Sequence, residues 1–399
     1  MRFSPFRLLC ITGLFAIFSS TISKSPVLPL FAAHLGADPS GVGFVAAVSA
    51  FTGVLFSIPA GLFSDRFGKR RMLLFSSCIF AAVPFLYPFV TQIWQLAAVR
   101  FLHGFATAIF IPVAMAFVSE LFHKERGEKM GWFSTSTLLG RFAAPIVGGS
   151  IIGAFALNPN IGYRAVYIVC GLAGVVTLLL SFFLPQTGES HHHNQPWSET
   201  FTTFKTVLAN KGILVTCTVE AAILFAYGTF ETFLPLYAIS MGLSPYKIGI
   251  FLSAQVITLA LSKPVMGRFS DRHGRKPQIF AGALIGAVSI GCMGIFPGFL
   301  PLLVLSIFFG LSLSIVTSAT SAYIADLSSR EARGSAMGVF GSIMDIGHTT
   351  GPLLSGIVAT HFGFAKSFIG ASLVLILFAF IFLVVAGIKA DSKSTDYHT

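Results

Sequence analysis

One charged sequence occurs twice in this chain of 399 residues, and the two copies lie 206 residues apart. Residues 61–71 and residues 267–277 both follow the pattern G-x-F-S-D-R-x-G-[KR]-[KR], and each copy joins two long apolar segments. Matches at the same spacing continue outside this pattern, for example between Gly104 and Gly310. A repeat at half the chain length predicts two homologous halves that are built from the same series of elements.

The composition indicates a chain that lies mostly within a membrane. Hydrophobic residues make up 54% of the chain and charged residues only 10%, whereas a soluble domain carries about a quarter charged residues. Segments of about 20 mostly apolar residues are long enough to cross a bilayer as helices. Twelve such segments begin near residues 8, 40, 72, 94, 131, 163, 212, 244, 278, 299, 334 and 363. They are apolar all round, which excludes the alternating pattern of a β-barrel. We therefore expect an all-α membrane protein with twelve transmembrane helices in two pseudo-symmetric six-helix bundles.

The only long polar stretch, residues 186–211, separates the two halves. We expect residues 1–185 to form the N-terminal bundle and residues 212–389 the C-terminal bundle, joined by this stretch as a cytoplasmic linker. Residues 390–399 are expected to be a short cytoplasmic tail. The linker contains three consecutive histidines, but a solvated loop is the simpler interpretation, so no metal site and no cofactor are predicted.

The net charge of +11 follows from where the basic residues lie. If both termini are cytoplasmic, 19 of the 26 Lys and Arg residues fall on the inner side, three on the outer side and four within helices. This bias predicts a multi-pass protein of the cytoplasmic (inner) membrane with both termini in the cytoplasm. Because the bias explains the charge, no nucleic-acid partner is expected. The sequence G-x-x-x-x-G-K-[ST] does not occur, so ATP is not expected to drive the protein.

The duplicated loops resemble the signature of the major facilitator superfamily between helices 2 and 3 and its counterpart between helices 8 and 9. Helix 4 has Arg100 four residues before Gly104, similar to the R-x-x-x-G motif of this family. Helix 5 resembles the G-x-x-x-G-P-x-x-G-G motif of the drug:proton antiporter branch, with Ala144 at one glycine position, and helix 11 carries a second copy. We expect these two motifs to let helices approach closely and bend. Their glycines and prolines are Gly140, Pro145, Gly148, Gly149, Gly347, Gly351 and Pro352.

The resemblance implies that the two charged loops form a conformational latch. In each half an Asp would interact with the N-terminal dipole of helix 11 or helix 5, and an Arg would bind an acid at the end of helix 4 or helix 10. Such a latch would hold the outward-open state, whereas simple anchoring of positive charge is the alternative. The residues concerned are Gly61, Asp65, Arg66, Gly68, Glu120, Gly267, Asp271, Arg272, Gly274 and Asp326.

Ionisable residues within the predicted helices indicate where a site lies, because a charge inside a bilayer is costly and usually faces a cavity or a partner. They include Lys24, Arg100, His103, Arg141, Glu220, Glu231, Asp345 and His348. Glu220 and Glu231 are eleven residues apart, which is about three helical turns, so they share a face of helix 7 with Tyr227 between them. Glu231 matches Ser25 in the repeat, beside Lys24, which predicts that opposite charges meet between the halves.

Glu231 is the predicted proton carrier, and Asp345 and Glu220 are the next candidates, because a carboxylate in a cavity can take up and release a proton. Arg100 would promote release when it approaches Glu231. A structural ion pair between helices is the alternative for each of these residues. The 43 Phe residues are expected mainly to pack or to face lipid. We expect some of them to line an apolar cavity that suits a hydrophobic or amphipathic substrate.

These patterns favour a secondary transporter that exports a small drug-like or amphipathic molecule in exchange for protons by alternating access. The expected partners are this substrate, protons and the lipid bilayer, and a monomer is expected. An importer or facilitator of a metabolite and a non-transporting membrane sensor remain open. An enzyme is not expected, because the ionisable residues are scattered through the helices rather than clustered as a metal site.

Overall fold

The structure is a computed structural model, and the residues that it describes are 4–122, 125–186, 209–329 and 333–387. The predicted tail and the histidines of the predicted linker lie outside these ranges. The predicted domain boundaries therefore stay a prediction.

Twelve long helical elements, α1 to α12, run through the described ranges, and their first residues lie within five positions of the predicted starts. In the N-terminal half they are α1 (Pro5–Ile22, continuing after a break as Val27–His34), α2 (Pro39–Phe67), α3 (Lys69–Ala82, extended by the 3₁₀ helix Val83–Phe89), α4 (Ile93–Leu121), α5 (Arg126–Ala154) and α6 (Pro159–Phe182). In the C-terminal half they are α7 (Lys211–Ser240), α8 (Pro245–His273), α9 (Arg275–Met293), α10 (Phe299–Leu327), α11 (Arg333–Phe362) and α12 (Phe364–Ala386).

Eleven of these elements are long and apolar enough to cross a membrane, counting only the described residues. The exception is α11, which has Asp345, His348, Thr349 and Thr350 near its middle and is therefore more polar than the others. Its length and its position in the bundle match those of α5 in the other half. The fold class predicted from the sequence, an all-α protein with two six-helix halves, is confirmed.

Each charged loop is a turn of one glycine between two helices. Gly68 separates α2 from α3 and has a φ of 89°, and Gly274 separates α8 from α9 and has a φ of 93°. A side chain is strained in this left-handed backbone region, whereas glycine adopts it freely. The conserved spacing of the repeat therefore encodes a sharp reversal of direction at the same place in each half.

The most extensive contacts between the two halves are those of two helix pairs, α2 with α11 and α5 with α8, and α7 also contacts α1 and α2. Glycine makes these contacts close, because a Cβ atom on Gly43 would overlap the carbonyl of Pro352. In the second pair, a Cβ atom on Gly249 would overlap the carbonyl of Pro145. The two contacts are related by the repeat, and each pairs a proline of the Gly-Pro motif with a glycine across the interface.

The molecule is closed at one face and open at the other. We call the face with the two glycine turns, Gly68 and Gly274, the motif face. At the opposite face the halves touch, with Ser40 Oγ 2.8 Å from Thr360 Oγ1. Towards the motif face α5 and α8 separate and leave a gap of about 510 Å³, which Trp132 and other residues line. The central space is therefore reached from the motif face.

Candidate functional site

A cavity of about 310 Å³ lies between the two halves, midway along the helices. Its size is at the lower end of the range of small-molecule pockets, about 300–1,000 Å³. Residues of α1, α2, α4 and α5 line it on one side, and residues of α7, α8 and α11 line it on the other. Its hydroxyl groups are those of Ser20, Thr21, Ser25, Ser49, Ser57, Thr107 and Tyr227.

The expectation of a cavity lined by phenylalanine is wrong for this structure, because no Phe is among the described residues that line it. Large aromatic side chains instead fill the cores of the bundles, where Phe80, Phe110 and Phe117 are fully buried. Others face outwards, such as Phe89 and Phe183. The number of Phe residues in a membrane chain thus reflects packing and contact with lipid, and it does not describe the cavity.

Lys24 and Glu231 form an ion pair across the interface of the two halves. The Nζ atom of Lys24 lies 2.7 Å from Oε2 of Glu231, and the two side chains are 21% and 8% exposed. The meeting of opposite charges that the repeat predicted is therefore confirmed. Because both groups are largely removed from water, each depends on the other for compensation of its charge.

His348 of α11 completes a cluster with this pair. Its Nε2 atom lies 3.2 Å from Nζ of Lys24 and 3.4 Å from Oε2 of Glu231. A lysine ammonium can only donate, so a neutral His348 accepts this bond at Nε2, whereas a protonated His348 donates to Glu231 and repels Lys24. The ring of Tyr227 lies over the imidazole, with 5.4 Å between centroids. The cluster can therefore rearrange its hydrogen bonds when one proton is added.

The break in α1 places Lys24 at this position. Pro26 has no N–H group to donate to the carbonyl four residues earlier, at Ile22, and it disfavours helical geometry at Ser25. The first helix of α1 therefore ends at Ile22, and the chain resumes a helix at Val27. Lys24 lies in the interrupted segment and faces the cavity. The matching stretch of α7, which contains Glu231, is a continuous helix.

Arg100 and His103 lie inside the N-terminal bundle and do not line the cavity. Arg100 is only 2% exposed, and its Nη1 atom donates to Ser23 Oγ at 3.0 Å and to the hydroxyl of Tyr87 at 3.3 Å. The same hydroxyl lies 3.3 Å from Nδ1 of His103. The sequence predicted that Arg100 promotes proton release when it approaches Glu231, and this stays a prediction. In this conformation Arg100 contacts the break in α1, next to Lys24.

Glu220 is also separated from the cavity. It is fully buried in the C-terminal bundle, where its Oε2 atom accepts a hydrogen bond of 2.7 Å from Thr320 of α10. Glu220 and Glu231 lie three turns apart along α7, as expected, but α10 covers the first while the second faces the interface. The shared helix face therefore does not make a shared site.

Asp345 and Arg141 line the cavity from opposite halves. Asp345 of α11 faces Gly53 of α2, where an added Cβ would lie 3.3 Å from its Oδ2 atom. Arg141 of α5 is exposed to the cavity. Within the described part of the chain, neither side chain forms an ion pair. They are thus two opposite charges that face the same space, and the charge of Asp345 is attracted by Lys24 without forming an ion pair with it.

At the motif face the acids bind basic residues other than those expected. Glu120 binds Lys69 at 2.7 Å, and Asp326 binds Arg275 at 3.1 Å. Lys69 and Arg275 are equivalent in the repeat, because each follows the glycine of its turn. This repeated basic position could have identified the partners of the two acids from the sequence. Arg275 also binds Asp271 at 2.5 Å.

The expected basic partners of the latch, Arg66 and Arg272, are exposed. Gly61 and Asp65 belong to α2, but the surroundings of Gly61 and the side chain of Asp65 are not among the described parts of the structure. The observed ion pairs at this face join helices of the same half, so the latch stays a prediction.

The Gly-Pro motifs of α5 and α11 place glycines where helices meet, as expected. A Cβ on Gly140 would overlap the carbonyl of Leu14 in α1, and one on Gly347 would overlap that of Ala221 in α7. Gly149 and Gly351 make similar close contacts with backbone carbonyls, whereas a Cβ on Gly148 would lie 3.2 Å from the side chain of Val27. Arg141 and His348 each directly follow the first glycine of a motif, so close packing of that glycine brings them to the interface.

A polar cavity midway between two related six-helix halves, closed at one face and open at the other, defines a secondary transport protein. The sequence profile of the Major Facilitator Superfamily matches residues 9–254 and 240–397, so the chain belongs to this superfamily. It is therefore a multi-pass membrane transporter of small molecules and not an enzyme.

Relatives of the chain include proteins that are named for multidrug resistance. Multidrug resistance protein MdtG of Erwinia billingiae is 26% identical over 381 residues, covering 92% of this chain and 90% of that protein. An uncharacterized MFS-type transporter of Methanocaldococcus jannaschii is 23% identical over 369 residues, covering 91% and 92% of the two chains. The crystal structure of the nucleoside transporter NupG matches with a TM-score of 0.78 at 16% identity, covering 97% of this chain and 100% of that chain. At this identity the structural match shows the fold alone.

Proposed function

We propose that this protein exports a small organic molecule in exchange for protons, by alternating access around the central cavity. The observation that carries the proposal is the ion pair of Lys24 and Glu231, which joins the two halves within that cavity. Export is supported by the name of a relative in Lactococcus lactis, multi-drug resistance efflux pump PmrA homolog, which is 24% identical over 382 residues. The bias of basic residues supports an orientation with the motif face in the cytoplasm, in the cytoplasmic membrane.

Glu231 is the proposed proton carrier. A proton on Glu231 removes its negative charge and so removes the attraction that holds Lys24 across the interface. Lys24 and the proton therefore compete for the same carboxylate, and the competition links protonation to separation of the halves. His348 offers the displaced ammonium a second acceptor at 3.2 Å. Such a competition is the coupling that an exchange mechanism needs, because the two arrangements of the halves differ in their affinity for the proton.

Glu231→Gln tests this proposal, because glutamine keeps the size of the side chain but cannot carry a proton. The experiment uses inverted membrane vesicles acidified inside, with the luminal pH followed by acridine orange fluorescence. Ethidium, tetraphenylphosphonium, uridine and valine are added one at a time. We expect at least one of them to raise the luminal pH with the unchanged protein, and none to do so with the variant.

Glu220→Gln is the matched control, because Glu220 is on the same helix but is buried away from the cavity against Thr320. This variant should keep the pH response of the unchanged protein. A response in Glu231→Gln equal to that of the unchanged protein would remove Glu231 from the mechanism. A response lost only in Glu220→Gln would transfer the role to that residue.

Import of a polar metabolite is the second candidate, and the polar lining of the cavity is the observation that favours it. The same vesicles separate the two directions. A symporter moves substrate and protons together, so its substrate, added outside the acidified vesicles, lowers the luminal pH further instead of raising it. A protein that kept the fold but acts as a sensor would give no response to any compound in either direction.

A further inference from the structure

Two charges that line the cavity from opposite halves form no ion pair within the described part of the chain. Lys24 and Glu231 compensate each other. Arg141 of α5 and Asp345 of α11 line the same cavity but form no ion pair within the described residues. A charged side chain at this depth in a membrane usually faces a cavity or a partner of opposite charge, and these two face the cavity. A bound molecule with two opposite charges would supply both missing partners at once.

The chemistry of each side chain defines one end of such a molecule. The guanidinium of Arg141 presents a fork of N–H donors that matches a carboxylate or a similar planar anion. The carboxylate of Asp345 can only accept while it is ionised, so it suits an ammonium group. The hydroxyl groups around them, including those of Ser49 and Thr107, suit a polar body rather than a large apolar one.

The positions of the two residues connect binding to the movement of the halves. Arg141 is on α5, which packs against α8, and Asp345 is on α11, which packs against α2. These are the two most extensive contacts between the halves, and they must rearrange when the protein opens at the opposite face. A ligand held at both ends bridges the halves, so it contributes to the same equilibrium as the pair of Lys24 and Glu231.

We propose that the substrate of this transporter is a small zwitterion of the amino-acid type, with its anionic group on Arg141 and its cationic group on Asp345. This assignment rests on the proposed function only in taking the central cavity as the substrate site. The cavity of about 310 Å³ limits the molecule to a small one. A lipophilic drug cation satisfies Asp345 alone and leaves the charge of Arg141 without a partner.

Binding to the purified full-length protein tests the proposal without any gradient. Two sets of probes differ only in their charged groups: valine, isobutylamine and 3-methylbutanoate, and phenylalanine, phenethylamine and 3-phenylpropanoate. The concentration of each probe that half-saturates the protein is determined from the rise in unfolding temperature that the probe causes. In at least one set we expect the zwitterion to bind at least tenfold more tightly than either molecule with a single charge.

Two variants assign the charges, because each should remove one kind of discrimination and spare the other. Asp345→Asn should reduce the preference for the zwitterion over the anion to less than threefold and keep its preference over the amine. Arg141→Gln should reduce the preference for the zwitterion over the amine to less than threefold and keep its preference over the anion. Lys263→Gln, a cation outside the cavity on α8, is the control and should change neither preference.

The proposal is overturned if in both sets a molecule with a single charge binds as tightly as the zwitterion, or if no probe binds at all. It is also overturned if the two variants lose both preferences equally, since that result indicates a general loss of structure. These outcomes are independent of proton coupling. Zwitterion binding with a normal pH response in Glu231→Gln would contradict the proposed function alone, and the reverse pattern would contradict only the substrate assignment.

Discussion

Lys24 and Glu231 reach each other from two different kinds of backbone. The lysine extends from the interrupted segment of α1, and the carboxylate extends from a continuous stretch of α7. The pair is 2.7 Å apart and is mostly shielded from water. Removing one partner of such a pair leaves a charge without compensation, whereas removing both leaves none. The effects of replacing Lys24 and Glu231 on the free energy of unfolding should therefore be strongly non-additive.

Lys24→Met tests this coupling in a double-mutant cycle with Glu231→Gln. We expect Lys24→Met alone to lower the free energy of unfolding by about 3 kcal/mol, because it leaves Glu231 unpaired in a shielded site. The double variant should recover most of this loss. The measurement is unfolding of the purified protein in detergent. Losses that simply add in the double variant would show that the pair does not stabilise the interface.

The surface pair of Lys129 and Glu125 gives a control for the cycle. Its atoms approach to 2.9 Å, but the Glu125 side chain is 60% exposed. Exposed pairs of this kind are screened by water and salt, so the coupling in the same cycle should be close to zero. Similar coupling in both cycles would mean that the measurement does not report on burial.

For single residues, the sequence predicted the contact of Lys24 with Glu231 better than it predicted the contacts of the residues around them. The repeat aligned Glu231 with the residue beside Lys24, so symmetry alone brought the two charges together. Arg100 could not be placed in this way, because its neighbours depend on how α4 is rotated about its own axis. A spacing of three or four residues identifies a helix face, but it does not identify the helix that covers that face.

The single-glycine turns of the motif face are the elements that the sequence predicted best, because a repeated glycine has a local physical cause. Each turn joins two long helices with one residue between them, at Gly68 and Gly274. Glycine adopts these positive φ angles at little cost, whereas a residue with a Cβ atom is strained by them. No heavy atom lies within 4 Å of a Cβ built on Gly68, so the constraint there is the backbone angle and not space.

Gly68→Ala is therefore expected to destabilise the protein by about 1–2 kcal/mol, the cost of a left-handed angle for a residue with a Cβ atom. Gly274→Ala should behave in the same way. Gly127→Ala is the control, because Gly127 lies in the first turn of α5, has no atom within 4 Å of an added Cβ and has no positive φ. Thermal unfolding in detergent provides the comparison, and equal effects of all three would contradict this account of the turn.

Element positions were predicted within a few residues because long apolar segments are bounded by charged or glycine-containing loops. The break in α1 was not predicted, although Pro26 is visible in the sequence. Proline occurs inside seven other helical segments, including Pro145 in α5 and Pro352 in α11, without interrupting them in the same way. Whether a proline bends a helix or ends it depends on which groups nearby can satisfy the released carbonyl.

The whole molecule adopts one of the two states that alternating access requires, the state in which the face opposite the motif face is closed. Closure there depends on contacts such as that of Ser40 with Thr360 and on glycine-mediated packing of α2 against α11. Alternating access requires these contacts to separate while the helix ends at the motif face come together. The two states must be close in free energy, because small ligands shift equilibria of only a few kcal/mol.

Spin labels at Ser40→Cys and Thr360→Cys, in a chain whose five native cysteines are replaced by serine, report on this opening. At neutral pH we expect one short distance between the labels. Acidification should add a population with a longer distance, because a proton on Glu231 releases Lys24. In the Glu231→Gln background the longer distance should appear at every pH. A single pH-independent distance in both backgrounds would contradict control of the opening by this pair.

The contact of Lys24 with Glu231 also has a consequence for how the two halves assemble. Two identical halves around a two-fold axis place the same residue on both sides of that axis, so two copies of the N-terminal half would bring two lysines together. Opposite charges meet there because the N-terminal half supplies a lysine and the C-terminal half supplies an acid. The halves are therefore no longer interchangeable. Co-expressed as separate pieces, an N-terminal and a C-terminal half have complementary charges for assembly, and two copies of either one do not.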